Sequence, residues 1–171
     1  MDMSDLLRRC TRVEQTAGEI YDALARRFRA DEAFSRFWAG LAEDERQHAK
    51  KLATWRRLLE LEGKTSRWEL VGFSEGVEAL ERLTGQLRER AHEVETADEA
   101  FALALGLETS ELDTIYTMLL QSSPIARFPD LPDTQRAEIG KHHEALLAMI
   151  RSRSRDERNL QMAALLDASH G

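Results

Sequence analysis

Cysteine and proline are scarce in this chain of 171 residues. The single cysteine, Cys10, excludes both an internal disulfide and a Cys-x-x-Cys metal site. Two of the three prolines fall within residues 128–132, so the other segments run for long stretches without a helix breaker. Leu, Ala, Glu and Arg dominate these stretches, and all four are good helix formers. The scarcity of proline therefore favours an all-α protein.

Long apolar runs are also missing. No run approaches the roughly 20 residues that span a bilayer, and the N-terminal residues lack the charged and apolar regions of a signal peptide. The net charge is −7, and the basic residues are interleaved with acidic ones, which argues against a clustered basic surface. We therefore expect a cytoplasmic protein without a nucleic-acid or membrane partner.

Apolar residues recur every three to four positions, the period of an α-helix, along most of the sequence. A capping box formed by Thr96 and Glu99 predicts that one helix begins at that point. Four long amphipathic helices and one long crossover favour a ferritin-like four-helix bundle at residues 1–150, with an additional helix in the crossover. Residues 151–171 form a charged tail that is either a further helix or frayed. The predicted helices cover residues 4–29, 31–61, 74–94, 96–122 and a segment that begins at 133.

The strongest local motif is Glu45 and His48, which lie three residues apart and so share one face of a helix. Leu41 precedes Glu45 by four residues and Leu52 follows His48 by four, which places both polar side chains in the apolar stripe. A carboxylate and an imidazole that face a core are costly unless they are paired or coordinate a metal. The pair is therefore interpreted as metal ligands, with a salt bridge or a helix cap as the alternative.

The other bundle helices carry similar candidates. Glu14 shares a face with Tyr21 two turns later, and its alternative role is an exposed carboxylate. Glu108 and Glu111 lie one turn apart, so they need a cation, a proton or water to coexist inside a bundle. In the last bundle helix, Glu138 and His142 lie four residues apart; the alternative is an ordinary surface pair.

These candidates follow the scheme of two-metal carboxylate bundles, which take a Glu from each of two helices and a Glu-x-x-His from each of the other two. Residues 44–52, with Glu14 followed by Tyr21 and Glu108-x-x-Glu111 followed by Tyr116, closely resemble the rubrerythrin family. The resemblance spans about residues 12–147. Because the rest of the chain lacks four cysteines for a rubredoxin domain, the chain is similar to the rubredoxin-less members.

The resemblance implies a non-haem protein with two iron ions, or other divalent metals such as Mn or Zn. It would reduce hydrogen peroxide or oxidise Fe(II), with electrons from an external carrier such as a rubredoxin-like protein, and it would form a homodimer. Tyr21 and Tyr116 would orient carboxylates by hydrogen bonds. The implied metal ligands are Glu14, Glu45, His48, Glu108, Glu111, Glu138 and one of His142 and His143, of which His142 is favoured.

The last bundle helix departs from the family pattern, because Glu138 precedes His142 by four residues rather than three. We favour a one-residue π-bulge near Gly140 that would bring both groups to the metals. His143 would then face a neighbouring helix or solvent. In the alternative the helix stays regular and the site keeps fewer carboxylates. Two other functions stay open: metal binding without turnover, and a helical dimer whose polar core is only hydrogen-bonded.

Overall fold

The computed structural model describes the backbone of residues 2–61, 73–111 and 131–168, with side chains for 2–61, 75–110 and 141–168. These described residues form six helices and no strand, which confirms the all-α class. The chain divides into two compact units, Met1–Glu93 and Val94–Gly171. The ferritin-like arrangement, and the division into residues 1–150 and a 151–171 tail, stay predictions. No described helix has the length and apolar character needed to cross a membrane.

The first unit contains α1 (Met3–Arg27), α2 (Glu32–Leu61) and α3 (Phe73–Ala91). Helix α1 begins where the Asp2 carboxylate accepts a hydrogen bond from a backbone N–H in the first turn. Asp31 caps α2 in the same way, by accepting from the backbone N–H of Phe34 at 3.0 Å. Helix α1 packs against both α2 and α3.

Apolar side chains at the helical period explain why α1 is buried on two sides. Its contact with α2 includes Tyr21 and Trp38, whose rings stack with centroids 5.8 Å apart. The buried residues of α3 recur every three or four positions, so they form one narrow face of the helix, and this face is enough for α3 to pack against α1. At the edge of the α1–α3 contact, Arg9 donates to Glu81 at 3.2 Å. The buried residues of α3 are Val77, Leu80, Thr84, Leu87 and Ala91.

The second unit contains α4 (Ala97–Glu111), α5 (Leu131–Arg153) and α6 (Glu157–Ala168). The predicted capping box is confirmed: Glu99 N donates to Thr96 Oγ1 at 3.2 Å, and Thr96 N donates to Glu99 Oε2 at 3.0 Å. Two of the three helices meet at Asp98, which accepts a hydrogen bond from Ser154 Oγ at 2.6 Å. The predicted tail therefore contains a helix, α6, whose start is joined to the start of α4.

Candidate metal-binding site

Three donors predicted from the sequence come together in the first unit. Glu14 on α1 and Glu45 and His48 on α2 are all buried, with relative exposures of 6%, 2% and 8%. His48 Nδ1 lies 3.0 Å from Glu45 Oε2 and 3.8 Å from Glu14 Oε2. One ligand atom from each residue lies within 4.8 Å of the others, so the set could hold a metal ion. We call these three residues the Glu14 group.

The two carboxylates of the Glu14 group control the charge of its imidazole. Burial opposes protonation of His48, but the hydrogen bonds and negative charges of Glu14 and Glu45 outweigh it and raise the pKa of His48 to about 10. Without a metal, the imidazole is therefore a proton-bearing cation between two carboxylates. A divalent cation would take the place of that proton, since a histidine ligand must be neutral.

A glycine on α1 allows the two helices to come close beside this group. A Cβ atom placed on Gly18 would lie 3.4 Å from the carbonyl oxygen of Ala42 and 3.6 Å from the Cβ of Glu45. A longer side chain would push α1 away from α2. Tyr21 lies on the same side of α1 as Glu14, is fully buried, and stacks on Trp38. Its expected hydrogen bond to a carboxylate stays a prediction.

A second group of buried donors lies in the second unit. Glu108 on α4 is 4% exposed, and His142 and His143 on α5 are 4% and 3% exposed. Glu108 Oε1 lies 2.9 Å from His142 Nε2, and Glu108 Oε2 lies 2.8 Å from His143 Nε2. One carboxylate therefore holds two imidazoles, one on each oxygen. We call these three residues the Glu108 group.

The histidines also determine the charge of Glu108. Its complete burial favours the neutral acid, but the charge and hydrogen bond of His142, together with those of His143, outweigh burial and hold the pKa of Glu108 well below its usual range. Glu108 is therefore a carboxylate in the interior of the unit. Each of its oxygens lies beside a nitrogen that can also coordinate a metal ion.

The structure corrects the expectation for the last bundle helix. Helix α5 is α-helical from Leu131 to Arg153, so the π-bulge predicted near Gly140 is wrong. No bulge is needed to bring the histidines to the site. His142 and His143 are adjacent on the regular helix α5, and each contacts one oxygen of Glu108 on α4. With the bulge, His143 was expected to face a neighbouring helix or solvent; on the regular helix it is buried and contacts Glu108 on α4.

Sequence reasoning expected one of His142 and His143 at the site, with His142 favoured, although a signal for both was present. His143 is followed by Leu147 four residues later and by Ile150 seven residues later, and both are buried. That spacing places His143 on the inner face of the helix. Leu146 follows His142 by four residues and is also buried, so the same spacing places His142 on the inner face. An adjacent pair of histidines that both precede buried leucines was thus a readable signal.

The remaining predicted site residues fall outside what the structure describes. Tyr116 lies outside the described residues, and the side chains of Glu111 and Glu138 are not described. Their roles as ligands or as hydrogen-bond partners stay predictions. Of the seven predicted metal ligands, the described side chains are Glu14, Glu45, His48, Glu108 and His142.

The donor set fits divalent metal ions in both atom type and charge. Carboxylate oxygens and imidazole nitrogens are both ligands of divalent metals such as iron and zinc. The two carboxylates of the Glu14 group balance the charge of one divalent ion. Glu108 provides only one negative charge to its group, so a second ion would need a further carboxylate.

Comparison of the chain with family models, with curated proteins and with solved structures gives no match. The likeness to rubrerythrins therefore rests on the sequence motifs alone.

Proposed function

We propose that this chain is a non-haem di-iron redox protein of rubrerythrin type, which reduces hydrogen peroxide, oxidises Fe(II), or does both. The observation that carries the proposal is the Glu14 group, in which two carboxylates and an imidazole from two helices meet in a buried position. Buried charged groups need partners or a metal, and oxygen with imidazole donors suits iron. This donor set is the one that the sequence motif predicts.

We assign a metal ion to the Glu14 group; the second ion of the proposal rests on the resemblance in sequence, which implies Glu108, Glu111, Glu138 and His142 as further ligands. Bound iron would supply one electron per ion, and two such ions match the two electrons that, with two protons, convert hydrogen peroxide to two waters. His48 would give up its proton when a metal binds. Tyr21 and Tyr116 would fix the orientation of the carboxylates that hold the ions.

The electrons would come from an external carrier, such as a rubredoxin-like protein, because the single Cys10 cannot form a four-cysteine iron site. We also propose that the protein acts as a homodimer. Both proposals rest on the resemblance in sequence, and each has a direct measurement. Reduction of the ferric protein by a reduced rubredoxin tests the first, and the molecular mass in solution tests the second.

A second candidate function is metal binding without turnover. The Glu108 group favours it, because a single carboxylate faces two imidazoles in place of the Glu-x-x-His pattern of two-metal bundles. A site with that composition would hold one ion or bind zinc. In a third function, a purely structural one, the histidine–glutamate hydrogen bonds would satisfy the buried groups without any metal.

Elemental analysis of protein purified without added metal separates the three functions. Two irons per chain, visible absorption of an oxo-bridged ferric pair and turnover of peroxide support the di-iron protein. Zinc, or one ion per chain without turnover, supports the second function. Protein that binds no metal after incubation with Fe(II), Mn(II) or Zn(II) supports the third.

A matched pair of variants connects the metal to the site. Glu45→Gln keeps the size of the side chain but removes a buried charge, and we expect it to lose most of the metal of the Glu14 group. Glu43→Gln makes the same change two residues away on the exposed face of α2 and should keep the metal. Equal metal content in the two variants would contradict the assignment of Glu45.

A further inference from the structure

A second binding feature lies in the first unit, away from the buried carboxylates. A pocket of about 470 Å³ opens between the C-terminal end of α1, the residues that follow it and the end of α3. Its volume lies within the range of small-molecule pockets, about 300 to 1,000 Å³. Its lining residues are Ala23, Arg26, Arg27, Arg29, Ala30, Ala91 and His92.

The charge of this lining is opposite to that of the chain as a whole. The protein has 31 acidic residues against 24 Lys and Arg, yet none of the described residues that line the pocket is a carboxylate. Three arginines, one histidine and three alanines line the pocket. Guanidinium groups present forked N–H donors that match phosphate and carboxylate oxygens. The lining is therefore chemically suited to an anion.

The carboxylate that precedes Arg26 by one turn on α1 is engaged with another arginine. Asp22, one turn before Arg26, pairs with Arg46 at 2.9 Å. Within the part of the chain that the structure describes, neither Arg26 nor Arg29 has an ion-pair partner. Other arginines of this unit do have one; Arg12, for example, pairs with Glu81 at 3.0 Å. Like charges at close range repel each other, so an anion between them would be favourable.

We propose that this pocket binds a small multivalent oxyanion of the phosphate class. Arg26 and Arg29 would contact its oxygens, His92 would donate a further hydrogen bond, and the alanines of the lining would contact a short apolar part of the ligand. The proposal is independent of the metal-binding function, since none of its residues belongs to the Glu14 group or the Glu108 group.

Isothermal titration calorimetry with inorganic phosphate and with a phosphate monoester, at constant ionic strength, tests the pocket. Wild-type protein should bind one phosphate per chain in a saturable manner. The double variant Arg26→Gln/Arg29→Gln should weaken binding by at least about tenfold, because each lost charged hydrogen bond is worth more than about 1.4 kcal/mol. Tighter binding of the monoester than of phosphate would support the contact between the ligand and the lining alanines.

The control is Arg82→Gln, which removes one exposed charge from α3 in the same unit and should leave phosphate binding within about twofold of wild type. His92→Gln changes only an exposed side chain, so it serves as a second pocket variant if the double variant fails to fold. The absence of saturable binding of either probe up to about 10 mM would overturn the proposal. Equal weakening in Arg82→Gln, or phosphate binding that the pocket variants leave unchanged, would do so as well.

Discussion

His143 Nε2 lies 2.8 Å from Glu108 Oε2, across the contact between α5 and α4. Because both side chains are buried, this hydrogen bond satisfies a charged oxygen that water does not reach. We predict that His143→Ala lowers the free energy of unfolding of the metal-free protein by about 1–3 kcal/mol, the typical cost of leaving a buried acceptor without its partner.

Urea denaturation followed by circular dichroism measures this change. His92→Ala makes the same substitution at an exposed position and should stay within about 0.5 kcal/mol of wild type. If His143→Ala costs no more than this control, the contact with Glu108 does not stabilise the second unit.

The raised pKa of His48 predicts how stability depends on pH. In the folded, metal-free protein this pKa is about 10, against an ordinary value of 6.5. A raised pKa means that the protonated form is favoured by folding, so the stabilisation is complete below pH 6.5 and is lost as pH rises towards 10. Thermal melting of chelator-treated protein should show a decline over this range that is absent in His48→Gln. If the melting temperature of both proteins falls equally over this range, titration of groups other than His48 causes the decline.

The same proton should compete with metal. Between pH 6 and 8, each Zn²⁺ ion bound at the Glu14 group should release about one proton, and its affinity should rise about tenfold per pH unit. Calorimetric titrations of Zn²⁺ in two buffers with different ionisation enthalpies count the protons. Zinc binding that releases no proton would mean that His48 is not a ligand.

The close approach of α1 and α2 at Gly18 gives a steric prediction. Gly18→Ala should be tolerated, since its methyl group makes ordinary contacts and alanine gains up to about 1 kcal/mol of helix propensity. Gly18→Leu should separate Glu14 from Glu45, lower the stability by about 1–3 kcal/mol and weaken zinc binding. Gly40→Leu is the matched control, because nothing lies within 4 Å of a Cβ at that position. Similar zinc affinities in Gly18→Leu and Gly40→Leu would rule out this role for Gly18.

Much of the Glu14 group was predictable from local sequence. Residues three apart on a helix share a face, and the leucines four residues to either side place Glu45 and His48 in the buried stripe. The capping box at Thr96 and Glu99 was equally local, since it joins residues three apart. In each case the evidence lies within a turn or two of one helix, where the periodicity of the α-helix fixes the geometry.

The Glu108 group shows where local reasoning stops. The resemblance in sequence implied that only one of His142 and His143 would reach the site, and adjacent residues on a helix do point about 100° apart. The position of the facing helix, which places Glu108 between the two, is a tertiary property. It also removes the reason for a π-bulge, because a regular helix already brings both histidines to the carboxylate.

Asp98 provides a prediction for the second unit. Its carboxylate accepts hydrogen bonds from Ser154 Oγ and from the backbone N–H groups of Arg155 and Asp156, and these contacts lower its pKa below 3.8. A lowered pKa means that its stabilisation is present above pH 3.8 and is lost as pH falls further. Asp98→Ala should cost about 1 kcal/mol at pH 7, as for the loss of a helix cap.

Thermal melting at pH 7 and at pH 3 measures this effect. The difference in melting temperature between Asp98→Ala and wild type should be smaller at pH 3 than at pH 7. The control is Asp167→Ala on α6, which removes the exposed ion-pair partner of Arg151 on α5. It should lower the melting temperature at neutral pH by less than Asp98→Ala does. A gap of equal size at both pH values would show that the charge of Asp98 does not contribute.

The turn at residues 28–31, which joins α1 to α2, bears on the order in which the chain folds. It makes the two helices an αα-hairpin, and no donor of the Glu14 group lies beyond His48 in the sequence. Contacts at short separation close small loops and form quickly. The Glu14 group can therefore assemble while the rest of the chain is still being synthesised, so a metal ion bound by this group would not need to wait for the second unit.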